Sequence, residues 1–411
     1  MRAFAFVSCC LLATAPLNAT TLEGAGEKAL QHLLDRGRET HSAAVLVWQD
    51  GRELGHYYVD DKAPVPIELM SVTKSVVALG IGQLLDQGKI KSLDQPVADF
   101  YPEWRQGRKK DITLRMLMNH TSGLQNFPRT DVEIAPAPDA IQLALTAELT
   151  GAPGTTGTVY NNKAVNLLAG VIEKASGESM DLFFRDGLFK AMKIHPGPWE
   201  KDKAGHPYAM SGLPLTAGDL AKLGQLVLDR GTWQGERLLS ATYIDTMLGP
   251  SSDQAVGLLW WQTVQWRQFD ADPAAAEVLR KRGVPEHTVA RLEQGLRGTH
   301  FDSESAMFAG LTKVLGPQMR SILDEQLISR GIGPYRLFKV TRGPVAAYYG
   351  EGDGGQYVVI VPSANIVAVR QIDADSDQEK EGENYPDLIE GVIELARVEG
   401  RLPPGPQGRP N

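Results

Sequence analysis

The sequence predicts an α/β (α+β) fold in which one antiparallel sheet, flanked by helices, is built from both chain ends around an inserted all-helical domain. Strand-like alternation is concentrated at 43–59, near the start, and at 357–369, near the end. Between them, a long stretch from 70 to about 194 has mainly helical periodicity. The 411 residues suffice for two to three domains or for one large unit that carries an insertion.

Charge and composition describe an ordinary globular protein and exclude two classes of partner. The chain has 42 basic and 50 acidic side chains, a formal charge of −8, and 42% of its residues are hydrophobic. Its longest basic run is Arg108-Lys109-Lys110, which is too short for the positive surface that nucleic-acid binding needs. No later segment approaches the roughly 18 uncharged apolar residues of a membrane span. We therefore expect no nucleic-acid partner and no membrane span.

The first 19 residues have the pattern of a secretory signal peptide. Arg2 supplies the positive start, an apolar run follows, and the segment ends in the small residue Ala19. Cleavage there would remove both Cys9 and Cys10, leaving a periplasmic or secreted protein without disulfides or a cysteine nucleophile. The alternative is a lipoprotein cleavage site at Cys9, although the apolar run before it is short.

The first half of the chain is predicted to be mainly helical after an opening hairpin. The hairpin at 43–59 turns at Asp50-Gly51. Segment 71–87 is apolar nearly all round and stops at Gly88, as expected of a helix buried in a domain centre. Helical spacing recurs in five other segments, 22–36, 114–119, 139–149, 164–175 and 180–192.

The second half returns to strands. Helix 215–231 opens with Thr216 three residues before Asp219, the spacing of a capping box. Strand character is strongest at 357–361 and 366–369, which are separated by a short turn. Two further strands are predicted at 257–261 and 336–349, and two helices that begin with proline at 273–282 and 285–296.

These elements predict a discontinuous domain organisation. Residues 20–69 and 206–402 form the sheet domain, with a helical insertion at about 266–335, and residues 70–205 form the all-helical domain. The tail 403–411 is rich in proline and glycine and is predicted to be disordered.

The first motif with chemical content is Ser71-Val72-Thr73-Lys74, at the start of the buried helix. Residues three apart on a helix lie one turn up, so the Lys74 amine can reach the Ser71 hydroxyl. A serine is a poor nucleophile until a base takes its proton, and burial can lower the pKa of a lysine enough for that task. Alone the motif is weak, because a Ser-x-x-Lys match is expected about once by chance in such a chain.

Two more segments strengthen the motif. In Tyr160-Asn161-Asn162 the phenol could hold a proton for a leaving group, and the Asn162 amide could orient Lys74 and a substrate carbonyl. An ordinary helix cap beside a packed tyrosine is the alternative there. Glycines at 350–355 would let a substrate approach the backbone, so that a main-chain N–H meets a developing oxyanion. The alternative for this segment is a simple glycine hairpin.

This order of motifs resembles the superfamily of class C β-lactamases, penicillin-binding proteins and serine esterases. Segment 112–124 is similar to a connecting segment of that superfamily. The stretches 94–104 and 348–362 look most like the 6-aminohexanoate-oligomer hydrolase branch. The resemblance covers most of residues 40–262 and 344–372, and it implies a β-lactamase/transpeptidase-like fold.

The resemblance also implies roles for the site residues. Ser71 would be acylated, and Lys74 and Tyr160 would share the acid–base chemistry as a coupled pair, with the first base left open. Asn162 would contact substrate. The second oxyanion donor would be the N–H of Asp353 or Gly354, beyond Gly352. No cofactor and no metal are implied.

One departure from the superfamily bears on the substrate. β-Lactamases usually begin the third motif with Lys-Thr-Gly, whose cation faces the antibiotic's carboxylate, whereas this chain has Glu351, Gly352 and Asp353. Acidic groups there would repel a carboxylate, which favours an ester or linear amide as the small-molecule substrate. The alternative function is a catalytically silent, penicillin-binding-like sensor. The oligomeric state is left open.

Two other features are interpreted as structural. His120 invites a Ser-His-Asp interpretation, but no Gly-x-Ser-x-Gly elbow is present, so we assign it to the framework. Trp260 and Trp261 fall in a predicted strand, where alternation sends one of them into the core.

Overall fold

The structure is a computed structural model that describes residues 24–62, 65–127, 129–155, 158–249, 256–330, 332–373 and 387–403. The predicted signal peptide, and all but the first residue of the predicted disordered tail, lie outside these ranges. None of the described helices is long and apolar enough to cross a membrane.

The described helices and strands follow one another in a mixed order. The helices are α1 Ala25–Glu39, α2 Val72–Asp86, α3 Leu114–Met118, α4 Thr130–Glu133, α5 Ala140–Thr146, α6 Asn162–Ser176, α7 Met180–Phe184, α8 Lys190–Met192, α9 Ala217–Leu228, α10 Ala241–Leu248, α11 Ala275–Lys281, α12 Glu286–Leu296, α13 Glu304–Leu315, α14 Met319–Ile322 and α15 Leu388–Val398. The strands are β1 Ala44–Gln49, β2 Arg52–Tyr58, β3 Ile67–Glu68, β4 Pro214–Leu215, β5 Thr232–Trp233, β6 Glu236–Arg237, β7 Trp261–Val264, β8 Arg267–Ala271, β9 His300–Phe301, β10 Phe338–Arg342, β11 Val345–Gly352, β12 Gln356–Val361 and β13 Ile366–Gln371.

A six-stranded sheet joins the two ends of the chain. Its order is β2-β1-β13-β12-β11-β7, and each neighbouring pair is antiparallel. The register pairs Val47 of β1 with Ala368 of β13, and Ala368 in turn with Val359 of β12. The predicted fold class, an antiparallel sheet made from both chain ends and flanked by helices, is confirmed.

The sheet is covered on both faces because its central strands are apolar on both sides. In β12, Val359 and Val361 belong to the core shared with α1 and α15. The alternate residues Val358 and Ile360 belong to the larger core, which also contains α2 and α9. Strand side chains alternate between faces, so one short run contributes to two cores.

Helix α2 lies in the middle of the larger core, as its sequence predicts. It is buried along almost its whole length, from Val72 to Leu84. The helix ends near Gly88, whose φ of 68° is the left-handed conformation that favours glycine. A helix held this firmly can fix the position of groups in its first turn.

Residues 265–343 form a separate substructure, which we call the insertion. Strands β8, β9 and β10 make a three-stranded sheet with β8 in the centre. Helices α11 to α14 pack on it around a third core that contains Phe269 and Leu311. The chain leaves the main sheet at β7 and returns at β11, and these two strands pair with each other.

Three local predictions need correction. The strand predicted at 257–261 begins only at Trp261, because Leu259 adopts a φ of 60° that a strand does not allow. The single strand predicted at 336–349 is two strands, β10 and β11, which belong to different sheets. The helix predicted at 180–192 is interrupted by a π-turn around Gly187, whose ψ of −106° is not helical.

Candidate active site

The first turn of α2 brings Ser71 and Lys74 together. The Lys74 Nζ lies 2.8 Å from the Ser71 Oγ, a distance that follows from their spacing on the helix. The Lys74 amine also donates to the main-chain carbonyl of Met210, at 2.7 Å. Lys74 is only 3% exposed. The amine is therefore held by the core and directed at one hydroxyl.

Burial favours the neutral form of Lys74. A charged ammonium is disfavoured where water is excluded, and this desolvation lowers the pKa of Lys74 well below its ordinary value. A neutral amine has a lone pair and can accept a proton from a neighbouring hydroxyl. The environment thus gives Lys74 the property that the sequence motif requires.

Tyr160 reaches the same hydroxyl from a loop 89 residues further along the chain. Its hydroxyl donates to the Ser71 Oγ at 2.9 Å, and its ring centroid lies 5.0 Å from the Lys74 Nζ. Partial burial is the largest cause that raises the pKa of Tyr160 to about 12, with smaller contributions from Glu351 and Asp353. The hydrogen bond to Ser71 acts in the opposite direction. The phenol is therefore protonated at neutral pH.

The loop that carries Tyr160 is fixed by the start of α6. Asn161 caps this helix, because its side chain accepts the main-chain N–H of Ala164 at 2.8 Å. The Asn161 side chain also donates to the carbonyl of Leu124 at 2.7 Å. Asn161 therefore caps the helix, while its neighbour Tyr160 contacts Ser71. The helix cap that the sequence analysis gave as the alternative is present together with the proposed contact of the phenol.

Asn162 is the first residue of α6, two positions after Tyr160, and makes no hydrogen bond to Lys74. The two hydrogen bonds of the lysine amine go to Ser71 and Met210. Asn162 is 8% exposed, and its Oδ1 is buried without a hydrogen-bond partner among the described residues. No hydrogen bond among the described residues joins Asn162 to Lys74, whose second partner is the carbonyl of Met210, and the orienting role of Asn162 stays a prediction.

The glycine-rich strand forms the opposite wall of the site. A side chain at Gly352 would place its first carbon 2.6 Å from the carbonyl oxygen of Leu69 and 3.0 Å from the main-chain nitrogen of Ser71. Real Cβ atoms do not approach backbone atoms so closely, so β11 can lie against the start of α2 only with glycine at this position. The close approach puts the end of β11 beside the Ser71 N–H.

A buried arginine holds the turn that follows β11. The Nη1 of Arg370 donates to the carbonyls of Gly354 and Gly355, at 2.7 and 2.8 Å. Its Nη2 donates to the carbonyl of Thr40 at 2.8 Å, and Arg370 is fully buried. The turn 353–355, where Gly354 has a φ of 72°, is therefore attached to the interior of the sheet domain.

The enclosed space above Ser71 is small. Its volume is about 10 Å³, room for a single water molecule. The Tyr160 ring borders it, 4.7 Å from the His120 ring and 6.4 Å from the Trp261 ring. The full lining is Ser71, Lys74, Ser75, His120, Tyr160, Val256, Leu259, Trp261 and Glu351.

Sequence reasoning missed several of these residues. Trp261 borders the site, whereas its neighbour Trp260 is buried and donates to the carbonyl of Ser75 at 3.1 Å. One of the two tryptophans is thus in the core, as predicted. His120 also borders the site, whereas the sequence alone indicates a framework role for it. Met210 contributes a main-chain carbonyl, which leaves no side-chain signal in the sequence.

The same part of the chain offers no metal centre. Within the ranges that the structure describes, no group of three or more histidine, cysteine or acidic side chains is arranged to hold a metal ion. What the site contains is the Ser71 hydroxyl, the Lys74 amine with its lowered pKa, the protonated Tyr160 phenol and main-chain N–H groups. Those are the parts needed for acyl transfer to a serine.

Two curated proteins are similar to parts of this chain. The 6-aminohexanoate-dimer hydrolase of Paenarthrobacter ureafaciens is 28% identical over 250 residues, 55% of this chain and 62% of that protein. Esterase EstB of Burkholderia gladioli is 30% identical over 131 residues, 27% of this chain and 33% of that protein. The chain therefore spans less than two thirds of the length of either relative.

The fold and the family follow from two broader comparisons. The beta-lactamase/D-alanine carboxypeptidase of Pseudomonas syringae has a similar structure, with a TM-score of 0.56 over 92% of this chain and all of that one, at 14% identity. That likeness concerns the fold alone. The family model described as Beta-lactamase matches residues 28–389, most of the chain. With this match added to the shared fold, the chain belongs to the Beta-lactamase family of serine hydrolases.

Proposed function

We propose that this protein is an exported serine hydrolase that cleaves an ester or linear amide through a covalent acyl-serine intermediate. One observation carries the proposal. The Ser71 Oγ lies within hydrogen-bond distance of both the Lys74 Nζ, at 2.8 Å, and the Tyr160 hydroxyl, at 2.9 Å. A nucleophile in contact with two proton-transfer groups is the arrangement that acyl transfer needs.

The pKa directions support Lys74 as the first base. Its pKa is lowered by burial, whereas that of Tyr160 is raised to about 12. The neutral amine takes the Ser71 proton as the Oγ attacks the carbonyl carbon and the carbonyl electrons move onto oxygen. When the bond to the leaving group breaks, the leaving oxygen or nitrogen receives a proton from the Lys74/Tyr160 pair. Water then attacks the acyl-serine, and the reverse proton transfers release the acid.

The negatively charged oxygen that forms during attack on the carbonyl would be bound where the start of α2 meets the end of β11. The N–H of Ser71 is at the start of a helix, where no intrahelical acceptor exists for it. The close approach of Gly352 to the Ser71 nitrogen supports Asp353 or Gly354, the next residues along the chain, as the source of the second main-chain N–H. Two such donors in a site that excludes water stabilise a developing negative charge.

Charge favours a neutral acyl donor over a β-lactam. Glu351 borders the Ser71 cavity. The negative charges of Glu351 and Asp353 both contribute to the raised pKa of Tyr160. A substrate carboxylate would meet these acids. Similarity to a 6-aminohexanoate-dimer hydrolase and to an esterase supports the same preference. The volume above Ser71 has room for about one water molecule, so most of a substrate would lie at the mouth of the site.

Export remains part of the proposal and depends on the first 19 residues alone. Its test is the N-terminal sequence of the mature protein. A start near Thr20 is expected, whereas a mature chain that begins at a lipid-modified Cys9 would establish a membrane-tethered form.

The hydrolase proposal is tested with the chain from Thr20 and its Ser71→Ala variant. We expect turnover of a short p-nitrophenyl ester, slower turnover of a matched acyl p-nitroanilide and very slow turnover of a chromogenic cephalosporin. Intact-mass measurement should show a transient acyl adduct and labelling by a fluorophosphonate probe, both absent from Ser71→Ala.

Each contrary outcome identifies what is wrong. Labelling that persists in Ser71→Ala would refute the nucleophile. Cephalosporin hydrolysis as fast as ester hydrolysis would refute the substrate preference. A stable adduct without product release from any of the three substrates would favour the alternative, a silent sensor.

A further inference from the structure

His120 lies between the catalytic cluster and the loop that carries Tyr160. It is 3% exposed and borders the cavity above Ser71. Its φ of 59° is in the left-handed region, which costs energy for most side chains. Such a conformation persists where the surroundings hold it, so the contacts of this residue are informative.

Two hydrogen bonds connect His120 to the residues on either side of Tyr160. The main-chain N–H of Val159 donates to the His120 carbonyl at 2.8 Å. The main-chain N–H of Asn161 donates to the His120 Nδ1 at 3.2 Å. One residue therefore binds the main-chain N–H groups of both neighbours of the tyrosine, and its ring lies 4.7 Å from the tyrosine ring.

The hydrogen bond from Asn161 fixes the form of the imidazole. A nitrogen that accepts a hydrogen bond carries no proton, so the neutral ring has its hydrogen on Nε2. Burial is the largest cause that lowers the pKa of His120 to about 3, and Lys74 acts in the same direction when it is protonated. The ring consequently remains an acceptor for Asn161 at neutral pH.

We propose that His120 is a positioning residue for Tyr160, holding the main-chain N–H groups of Val159 and Asn161 so that the phenol stays against the Ser71 hydroxyl. The inference rests on the proposed function and adds a residue to it. A loop that moves by about 1 Å can cost about a hundredfold in rate. The rest of the turn is held independently by the Asn161 side chain, through Leu124 and Ala164, so the fold does not depend on His120 alone.

Three substitutions separate positioning from general structural damage. In His120→Asn the side-chain oxygen is bonded to Cγ, as Nδ1 is, so it can accept the Asn161 N–H, and asparagine tolerates a positive φ. In His120→Gln the oxygen is one carbon further out. His120→Ala removes the acceptor. With the p-nitrophenyl ester, we expect kcat to fall about a hundredfold in His120→Ala and His120→Gln, and to recover in His120→Asn, with KM nearly constant.

A double-substitution cycle with Tyr160→Phe decides between direct and indirect action. If His120 acts through the phenol, His120→Ala should cause little further loss in the Tyr160→Phe background, because coupled residues are not additive. The proposal would be overturned if the fold-decreases in kcat of His120→Ala and Tyr160→Phe multiplied fully in the double variant. It would also be overturned if His120→Asn and His120→Ala lost the same activity at unchanged thermal stability. An unchanged rate in Tyr160→Phe alone would instead refute the proposed function.

Discussion

The main body of the protein and the insertion differ in whether their residues line the Ser71 cavity. Around the site, one hydroxyl is surrounded by groups from α2, the loop before α6, the segment before β7 and strand β11. The insertion, residues 265–343, contributes none of the residues that line the Ser71 cavity, within the described part of the chain. It has its own sheet and its own core.

The two regions are joined at an edge of the main sheet that also borders the site. Trp261 lies at the cavity and pairs with Tyr349 of β11, two residues before Glu351. The insertion can therefore be stabilised or destabilised through its own core, while the proposed chemistry depends on distances between groups of the other region, such as those from Ser71 to Lys74 and Tyr160. Activity and stability should respond separately to changes in the two regions.

The largest effect is expected from Gly352→Ala in the site. The added methyl group would collide with the Leu69 carbonyl and the Ser71 nitrogen, moving β11 away from Ser71. We expect kcat for ester hydrolysis to fall by about a hundredfold or more. The matched control in the insertion is Gly333→Ala, where an added methyl meets nothing within 4 Å and the backbone φ is −70°. Equal kinetics of both variants would show that the close approach is unimportant.

The pH dependence of activity should follow Lys74. Only the neutral amine accepts the serine proton, so kcat/KM should fall about tenfold per pH unit below the pKa of Lys74. Because burial lowers that pKa well below its ordinary value, the acidic limb should lie far below pH 10.5. Steady-state rates measured together with circular dichroism distinguish this limb from unfolding. An acidic limb near the ordinary lysine pKa would contradict the assignment.

Phe269→Ala should destabilise the insertion without changing the chemistry. Phe269 is fully buried in the third core, beside the rings of Tyr335 and Phe338. Loss of a buried phenylalanine costs about 3 to 5 kcal/mol. Urea unfolding should register this loss, whereas kcat at a temperature where the variant is folded should equal that of the wild type. A parallel fall in kcat would show that the insertion supports the site directly.

The smallest effect is expected at His300, on β9 of the insertion. Its Nδ1 and Nε2 lie 2.8 Å from Asp270 and 3.0 Å from Asp302, and hydrogen bonds to these carboxylates raise the pKa of His300. A raised pKa stabilises the folded state below the unfolded pKa of about 6.5, and the stabilisation is lost as pH rises through the folded value.

The test at His300 compares the wild type with His300→Asn. Urea unfolding at about pH 5.5 should show the variant to be less stable by at most about 1 kcal/mol, as for exposed ion pairs, and the difference should shrink above neutrality. Ester hydrolysis should be unchanged at both pH values. A stability difference that grows with pH would contradict a raised pKa for His300.

The sequence determined those features that depend on neighbouring residues. The contact of Ser71 with Lys74 follows from helix geometry, and the burial of α2 follows from its apolar surface. The strand patterns at both chain ends predicted one sheet flanked by helices, and the resemblance of three motifs predicted a common site. The helix cap at Thr216 was also predicted from spacing, and its side chain accepts the N–H of Asp219 at 3.1 Å.

Only the tertiary structure decided the contacts between distant segments. It placed the Tyr160 hydroxyl on Ser71, gave Lys74 the carbonyl of Met210 as its second partner, and turned His120 toward the tyrosine loop. It also divided the predicted strand 336–349 between two sheets. Local backbone preferences constrain residues a few positions apart. Which carbonyl or ring meets a side chain from another segment depends on how the whole core packs.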